Sequence, residues 1–395
     1  MKRVILIIPL VALLVTDSFS QWSVVGNKLF GPHTTPYGGV ITFNDGIVWA
    51  GLNHLVNSLD SGTTWNSIAD PLQGSQLSEI CFLNKDTGAI ACIDKGIFLT
   101  NDGGKTWRHI LTVSECFGLS FARNGNEMFV AERAGLVGTV HYTSDGGLTW
   151  TDQQVEGSGG GAYDAAYNPK TGKAYVLSRY ISPTRASHIN ISSDFGKTWQ
   201  RQVGNVDLDC YSFALDSCDP NKIYLGNEEF DESANNLSEI FVSADEGRSW
   251  SSKAQGPDGF FSAAFSSASN AIYTASALGQ GIFRSLDRGT TWKSIGGPSP
   301  REDTRLLCAI NNNIVLAADQ QGNVWRTLNS GGDSVSVSDN GKIVRFSISS
   351  KLILNDSLGA IISLPIFLKR QGKLPSFDLV VHYPTTSLNY LGSIL

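Results

Sequence analysis

One short pattern, [ST]-x-D-x-G-x-[ST]-W, occurs six times in this chain and constrains its fold more than any other feature. The copies begin at residues 58, 100, 143, 192, 243 and 285, and the intervals between their aspartates are 42, 43, 49, 51 and 42 residues. A further interval of 42 residues ends at Asn329, in a segment that has lost the Asp and the Thr-Trp. The chain therefore contains seven repeats of one structural unit, the last of them degenerate.

Each repeat is predicted to be a four-stranded sheet. In the second repeat, the β-prone runs SEICFL, AIACI, IFLT and TWRHI are separated by the turns NKDTG, DKG and NDGGK. A repeat of about 40–45 residues with four short strands is typical of a β-propeller blade. No segment shows a sustained helical period. We therefore predict an all-β chain, with a seven-bladed β-propeller over residues 21–332 followed by a partial β-sandwich.

The N-terminus of the mature chain is predicted to close the ring of blades. The seventh copy lacks its Trp strand, and QWSVV at residues 21–25 resembles TWNSI of the first repeat. We expect Trp22 to Val25 to supply the outer strand of the last blade. This pairing would leave the propeller without an open edge.

The repeated pattern has a local physical reason, because it falls on the turn between the third and fourth strands. An Asp carboxylate at this turn can accept hydrogen bonds from the backbone N–H groups of the loop. The Gly permits a positive φ, and the Trp presents a large apolar surface to neighbouring sheet. We interpret six aspartates as structural: Asp60, Asp102, Asp145, Asp194, Asp245 and Asp287.

The pattern resembles the Asp-box, or BNR, repeat of sialidases, xyloglucanase-type glycoside hydrolases, the sortilin ectodomain and photosystem II assembly factors. The resemblance covers residues 22 to 332 and implies a propeller with peripheral, structural boxes. These families differ in function, so it implies either catalysis on glycans or the binding of proteins and peptides. No Arg lies between Gln21 and Arg108. The early Arg-Ile-Pro signature of sialidases is therefore missing, which argues against sialidase activity.

The first twenty residues have the layout of a signal peptide. Lys2 and Arg3 precede an apolar run of twelve residues, and the small residues Ser18 and Ser20 precede a predicted cleavage before Gln21. The run is too short to span a bilayer, and no later apolar stretch is long enough. We therefore expect a soluble, exported protein without a membrane span, located outside the cell, at its surface or in a periplasm.

Residues 333–395 differ in character from the repeats. They contain longer strands without the box, and FDLVVHY alternates apolar and polar residues. This segment resembles the opening strands of a cohesin-like or immunoglobulin-like β-sandwich. A complete sandwich needs roughly 100 residues. We expect this module to be truncated or incomplete on its own.

Composition excludes several other classes of function. The net charge is −6, and no Lys/Arg-rich run follows the first three residues, so no nucleic-acid partner is expected. The chain has no phosphate-binding loop and no zinc-ligand spacing. We therefore predict no cofactor and no metal, and the sequence leaves the oligomeric state open.

Six cysteines leave the pairing of their thiols undecided. Cys81 and Cys92 flank the turn NKDTG and would face each other across a symmetric hairpin, and Cys210 and Cys218 are the next most plausible pair. Export permits disulfides, but a chain of this size does not need them to fold. The alternative is six free thiols.

The two long intervals place extra residues on one face of the propeller. In a four-stranded blade, the turn that carries the box lies on the same face as the turn between the first two strands. We name this face the box face. The opposite face carries the loops between the second and third strands and the links between blades, and we name it the insertion face. The insertions, residues 180–187 and 227–238, both fall on the insertion face. Loops longer than a repeat needs are where function concentrates.

The insertion face gathers the candidate functional residues. A glycosidase needs two carboxylates, and the clustered candidates are Asp164, Asp207, Asp209 and Glu228. Asp207 and Asp209 also match half of a calcium site. The candidate ligand-binding residues are Tyr163, Arg179, Arg185, Tyr211, Glu229, Arg301 and Arg305, with Phe260 and Asp303 beside them.

Three functions remain open at this stage. The leading one is a binding or scaffold module at the cell exterior that engages a protein or glycan through the insertion face. The alternative is a glycoside hydrolase acting on an extracellular polysaccharide. The third is a spacer in a larger surface protein, whose insertion face would be bland. The sequence favours binding over catalysis without deciding between them.

Overall fold

The computed structural model describes most of the repeat region and short parts of both ends. The described residues are 5–6, 22–29, 39–134, 137–156, 160–180, 186–206, 210–216, 218–227, 238–256, 260–266, 271–276, 281–297, 304–311, 313–319, 321–328, 333–339, 342–348, 367–368 and 379–380. Two compact units are present, one formed by residues 22–331 and the other by residues 1–21 with 332–395.

The larger unit is an all-β propeller of seven four-stranded antiparallel sheets, as predicted. Strands follow one another outward in each of the first six blades, because every connection is a hairpin. From inner to outer, the strands are Val40–Asn44, Ile47–Gly51, Leu55–Ser58 and Asn66–Ser67 in blade 1; Leu77–Phe82, Gly88–Cys92, Gly96–Thr100 and Arg108–Leu111 in blade 2; Cys116–Phe121, Met128–Ala134, Val137–Thr143 and Thr151–Glu156 in blade 3; Gly160–Asn168, Lys173–Tyr180, Ala186–Ser192 and Gln200–Val206 in blade 4; Cys210–Leu215, Ile223–Asn227, Ser238–Ser243 and Ser251–Gly256 in blade 5; Phe260–Ser266, Ala271–Ser276, Ile282–Ser285 and Lys293–Ser294 in blade 6; and Thr304–Ala309, Val315–Asp319, Val324–Thr327 and Ser23–Gly26 in blade 7.

Blade 7 combines both ends of the repeat region. Its outer strand, Ser23–Gly26, pairs antiparallel with Val324–Thr327, with Ser23 opposite Arg326 and Val24 opposite Trp325. Trp22 is 3% exposed and belongs to the apolar cluster between blades 6 and 7. The predicted closure of the ring by the N-terminal strand is confirmed.

The hydrophobic core is divided among the seven boundaries between blades. One apolar cluster fills each boundary, and its members alternate along the strands because successive side chains face opposite neighbours. The box Gly is part of this packing. Gly147 in blade 3 has a φ of +81°, and a Cβ built on it would lie 2.8 Å from the Cβ of Ile110 in blade 2. A side chain at Gly147 would therefore separate two blades.

Each box aspartate closes its own turn. Asp145 is representative: its Oδ1 accepts the backbone N–H of Leu148 and Thr149 and the hydroxyl of Thr143, while Oδ2 accepts the hydroxyl of Thr149 at 2.6 Å. The Trp that follows can reach the preceding blade, since Trp150 Nε1 donates to the carbonyl of Ile110 at 3.0 Å. The box of blade 3 thus joins its turn to the outer strand of blade 2, whereas Trp199 and Trp292 donate to carbonyls within their own boxes.

All six cysteines lie among the described residues and carry free thiols. Of the two alternatives that the sequence left open, free thiols are the one observed, and the hairpin register explains why Cys81 and Cys92 do not pair: Cys81 lies opposite Ala89, and Cys92 lies opposite Leu77 at the far end of the ladder. Cys210 and Cys218 do not pair with each other either, because Cys210 is buried in the inner strand of blade 5 whereas Cys218 is exposed after it.

The smaller unit has a three-stranded antiparallel sheet, formed by Asp333–Asp339, Lys342–Ile348 and Phe367–Leu368. A separate two-residue pairing joins Ile5–Leu6 to Leu379–Val380. These strands agree with the β character expected of residues 333–395, and the partial sandwich stays a prediction. None of the described residues forms a helix long and apolar enough to cross a membrane.

Candidate functional site

Blades 3 and 4 present the same aromatic–arginine pairing at the insertion face. Phe117 and Tyr163 occupy the register shifts of their inner strands: Phe117 lies between the paired residues Cys116 and Gly118, and Tyr163 lies between Ala162 and Asp164. Arg133 lies five residues after Met128 in blade 3, and Arg179 lies five residues after Ala174 in blade 4. The repeat therefore brings one aromatic ring and one guanidinium together in each of two consecutive blades.

The two pairs form one stack. The Phe117 and Tyr163 rings lie 5.8 Å apart with an interplanar angle of 15°. The guanidinium of Arg133 lies over the Phe117 ring at 5.8 Å, and that of Arg179 lies over the Tyr163 ring at 5.1 Å. Both distances are within the range of cation–π attraction.

Glu115 holds Arg133 in place over the stack. It lies in the link between blades 2 and 3, and its two carboxylate oxygens accept hydrogen bonds from Arg133 Nε at 2.9 Å and Nη2 at 2.8 Å. This two-point pairing lowers the pKa of Glu115 and raises the pKa of Arg133. Gly161 makes room for the pair, because a Cβ there would lie 2.4 Å from Cγ of Arg133.

We name Glu115, Phe117, Arg133, Tyr163 and Arg179 the mouth cluster. Its base is buried, with Tyr163 4% and Arg179 7% exposed. Its upper part reaches solvent, because the side chains of Arg133 and Glu115 are 28% and 38% exposed. A charged pair held over a buried aromatic base combines the residue types that dominate binding hot spots.

Two carboxyl groups lie on the inner strands near this cluster. Glu79 in blade 2 and Asp164 in blade 4 each directly follow the register shift of their inner strand, and Gly118 occupies that position in blade 3 between them. Asp164 accepts backbone N–H groups from Ala165 at 2.7 Å and Phe213 at 2.9 Å. Glu79 accepts the N–H of Ile80 at 2.9 Å.

Burial makes both carboxyl groups weak acids. Desolvation raises the pKa of Asp164 to about 7, although hydrogen bonds from Phe213 and Ala165 oppose the change. Desolvation also raises the pKa of Glu79 well above its usual value, and the negative charge of Asp164 raises it further. The negative charge of Asp164 thus acts on Glu79 across the inner strand of blade 3.

The structure brings together three of the predicted site residues and does not describe most of the others. Tyr163, Asp164 and Arg179 meet at the insertion-face end of blade 4. Tyr211, Phe260 and Arg305 lie on inner strands, and only their backbone is described. The candidates that lie outside the described residues are Arg185, Asp207, Asp209, Glu228, Glu229, Arg301 and Asp303.

Four residues of this region were missed by the sequence reasoning: Glu79, Glu115, Phe117 and Arg133. Three of these four residues could have been found by aligning the repeats with one another at their inner strands. Such an alignment places Glu79 with Asp164, Phe117 with Tyr163, and Arg133 with Arg179. Loop length gives no signal for these residues, because blades 2 and 3 have no insertion. Among the described residues, no group of three His, Cys, Asp or Glu side chains is arranged to hold a metal ion.

Comparison with known proteins identifies the repeat and the fold. Residues 282–295 match the family described as BNR-Asp box repeat, and no curated protein matches the chain. The structure is similar to one titled YCF48 bound to D1 peptide, with a TM-score of 0.56 and 16% identity over 79% of this chain and 96% of that one. It is also similar to the Niastella koreensis GH74 enzyme, with a TM-score of 0.57 and 15% identity over 86% of this chain and 60% of the enzyme.

A third similar chain comes from a structure titled Mitotic Checkpoint Complex, with a TM-score of 0.55 and 12% identity over 80% of this chain and 98% of that one. At such identities the likeness concerns the fold alone. The described blades, their boxes and these comparisons agree on one architecture. The chain is a seven-bladed β-propeller that contains the BNR-Asp box repeat.

Proposed function

We propose that this protein is an exported binding or scaffold module that engages a partner protein or glycan at the cell exterior through its insertion face. The observation that carries the proposal is the mouth cluster. Its charged pair and aromatic rings are prearranged by the fold, so a partner would not have to order them on binding. A spacer would have no need of this arrangement.

The partner is expected to be a protein segment rather than a small ion. Arg133 and Glu115 offer one group of each charge at the rim, and the half-buried Phe117 ring lies between them and Tyr163. Such a patch suits a peptide with an apolar or aromatic side chain flanked by charged residues. The fold similarity to a YCF48 structure with a bound peptide supports this class of partner.

Selection of peptides from a random displayed library by the purified protein would test the proposal. We expect the selected peptides to lose at least tenfold in affinity for the Arg133→Ala variant and to retain it for Lys85→Ala. Lys85 is a suitable control because it pairs with Asp86 in an exposed turn of the box face. Equal binding of the peptides to both variants would contradict the assignment of the mouth cluster.

The proposal of export has its own test. If residues 1–20 are a signal peptide, protein recovered from outside the cytoplasm of an expressing cell should begin at Gln21, as measured by mass spectrometry of the intact chain. Retention of full-length protein in the cytoplasm would contradict it, without affecting the peptide-binding result.

A second candidate function is glycoside hydrolysis of an extracellular polysaccharide. Glu79 and Asp164 favour it, because they place two carboxyl groups at matching positions of inner strands near the mouth cluster, and such a reaction uses a pair of carboxyl groups. The similar fold of a GH74 enzyme adds support. We would measure reducing-end release from a panel of plant, bacterial and animal polysaccharides. Release that disappears in both Glu79→Gln and Asp164→Asn would establish this function, and no release from any substrate would leave binding as the better account.

A further inference from the structure

A cavity of about 520 Å³ lies on the box face, at the opposite end of the inner strands from the mouth cluster. It forms where the inner strands of blades 1 to 4 end and turn outward, so each of these blades contributes to its wall. Cavities of 300–1,000 Å³ are of the size that holds a small molecule or one large side chain. No role described above uses this cavity.

Three of the ten residues that line the cavity are aromatic. Phe82 and Phe121 are the last residues of their inner strands, and Tyr167 precedes the last residue of the inner strand of blade 4. Phe82 is held in place by Trp49, whose ring lies 3.7 Å away and is nearly parallel. Phe82 and Phe121 are 6% and 3% exposed, so packing fixes both rings and only a small part of each borders the cavity.

The polar groups of the wall are uncharged. Asn44 donates its side-chain N–H to the carbonyl of Phe82, and the hydroxyl of Ser120 donates to the carbonyl of Phe121 at 3.1 Å. Burial raises the pKa of the Cys81 thiol to about 12 and also raises the pKa of Tyr167, so both remain protonated at neutral pH. The interior therefore offers neutral hydrogen-bonding groups between apolar surfaces.

The one charged side chain in the wall is already compensated. Arg123 donates from Nε to Glu127 Oε2 at 2.7 Å and from Nη2 to Oε1, and Glu127 is 5% exposed. The guanidinium of Arg123 also lies 3.8 Å from the centre of the Phe195 ring. The Arg123 side chain is 49% exposed and already paired with Glu127, so a charged ligand beside it would find no free counter-charge.

We infer that this cavity is a binding site for a small uncharged aromatic ring that carries a hydroxyl group, as in a phenol or a tyrosine side chain. The ring would pack against the aromatic and aliphatic residues of the wall, among them Leu83 and Tyr167, and its hydroxyl would exchange hydrogen bonds with the neutral polar groups. This site is separate from the mouth cluster and would work whether or not the proposed function is correct.

Three probes of the same size and different charge test the inference. We would titrate the purified protein at pH 7 with p-cresol, 4-methylbenzylamine and 4-methylbenzoate and follow the probes by saturation-transfer NMR. We expect p-cresol to bind saturably and at least tenfold more tightly than either charged probe. Equal binding of all three probes, or no saturable binding of p-cresol, would overturn the inference.

Two substitutions of Leu83 locate the binding. Leu83 lines the cavity, its side chain packs against the apolar cluster between blades 2 and 3, and its backbone N–H donates to Thr87 O at 2.9 Å. Leu83→Trp should fill the cavity and weaken p-cresol binding at least tenfold, while Leu83→Ala and the distant Arg133→Ala should not weaken it. A folded Leu83→Trp variant with unchanged affinity would contradict the site. If Leu83→Trp does not fold, p-cresol-induced amide shifts in the parent protein decide: shifts centred on residues 120–123 support the site, and shifts confined to the insertion face contradict it.

A charge test distinguishes this cavity from nonspecific apolar binding. Arg123→Gln removes the ion-pair partner of the buried Glu127 carboxylate, so the preference should move from p-cresol toward 4-methylbenzylamine by at least tenfold. The matched double variant Arg123→Gln/Glu127→Gln removes both charges and should restore the preference for p-cresol. A ratio of affinities that is the same in the parent and both variants would contradict the role given to this ion pair.

Discussion

The carboxylate of Asp164 in blade 4 accepts a hydrogen bond from the backbone N–H of Phe213 in blade 5, with an Oδ2–N distance of 2.9 Å. Its other oxygen accepts the N–H of Ala165 within blade 4. Burial raises the pKa of this group to about 7, so its protonation changes near neutral pH. A link between two blades is thereby coupled to pH.

The pH dependence of stability should change when Asp164 is made unable to ionise. The pKa of Asp164 is higher in the folded chain than the ordinary value of 3.8. The folded state therefore retains a proton that the unfolded state releases, and this group lowers stability as pH rises from about 4 to 7. Relative to the parent, Asp164→Asn should gain several degrees in melting temperature between pH 4 and pH 8. Circular-dichroism melts at both pH values measure this, and parallel profiles for variant and parent would contradict it.

The box aspartates should behave in the opposite way. Hydrogen bonds from the hydroxyl and N–H of Thr149 and from Thr143 lower the pKa of Asp145 to about 2. This lowered pKa contributes stability above pH 4 that is lost as pH falls toward 2. Asp145→Ala should melt at a lower temperature than the parent at pH 7, with the difference shrinking toward pH 2. Peptide affinity of the folded variant should be unchanged, and a large loss of affinity would show that the box does more than close its turn.

His141 forms a second pH-sensitive link, within blade 3. Its ring nitrogens lie 2.7 Å from Asp152 Oδ1 and 2.8 Å from Glu132 Oε2, across the three outer strands. Burial disfavours the charged imidazole, but the two carboxylates outweigh it and raise the pKa of His141 above 6.5. The stabilisation is fully present below pH 6.5 and is lost as pH rises through the folded pKa. His141→Gln should cost about 1–2 kcal/mol at pH 6 and less at pH 9, as measured by urea unfolding. An equal cost at both pH values would argue against a charged imidazole.

Removal of Trp22 should weaken closure of the ring. This residue is 3% exposed and packs in the cluster between blades 6 and 7, beside Tyr273 and Ile282. Replacement of a buried Trp by Ala typically costs about 3–5 kcal/mol. Trp22→Ala should lower the free energy of unfolding by an amount in this range, measured by urea titration. Val24→Ser is the matched control in the same strand, because Val24 is 48% exposed and should cost little.

Much of the propeller could be predicted from the sequence because its repeat is dense and local. The roles of its Asp, Gly and Trp can each be worked out from a single turn. Six copies at regular intervals, together with the degenerate seventh, therefore define seven blades. Even the closing strand at Trp22 was predictable, since the seventh repeat lacks an outer strand and the N-terminus supplies one. The free state of Cys81 and Cys92 could not be decided from the sequence, because it depends on a strand register that places Cys81 opposite Ala89.

The candidate site was harder to predict because it is built across blades. Tyr163 and Arg179 were predicted because blade 4 carries an insertion. Their partners Phe117 and Arg133 belong to blade 3, which has no insertion. Glu79 was missed for the same reason: its relation to Asp164 arises from the ring, not from nearness in the chain. A carboxyl group in a short β-prone run has no distinctive sequence signal unless the repeats are aligned with one another.

The pairing of Ser23–Gly26 with Val324–Thr327 sets an order of events during synthesis. The strand that completes blade 7 leaves the ribosome first, and it has no partner until some 300 residues later. Blades 1 to 6 can form one after another from local hairpins, while this segment has to stay extended and unaggregated. The entropic cost of closing a loop rises only slowly with its length. Pairing of this strand is therefore delayed by the time needed for synthesis rather than opposed by a large cost in free energy. The first strand of the propeller to be made is thus the last to be paired.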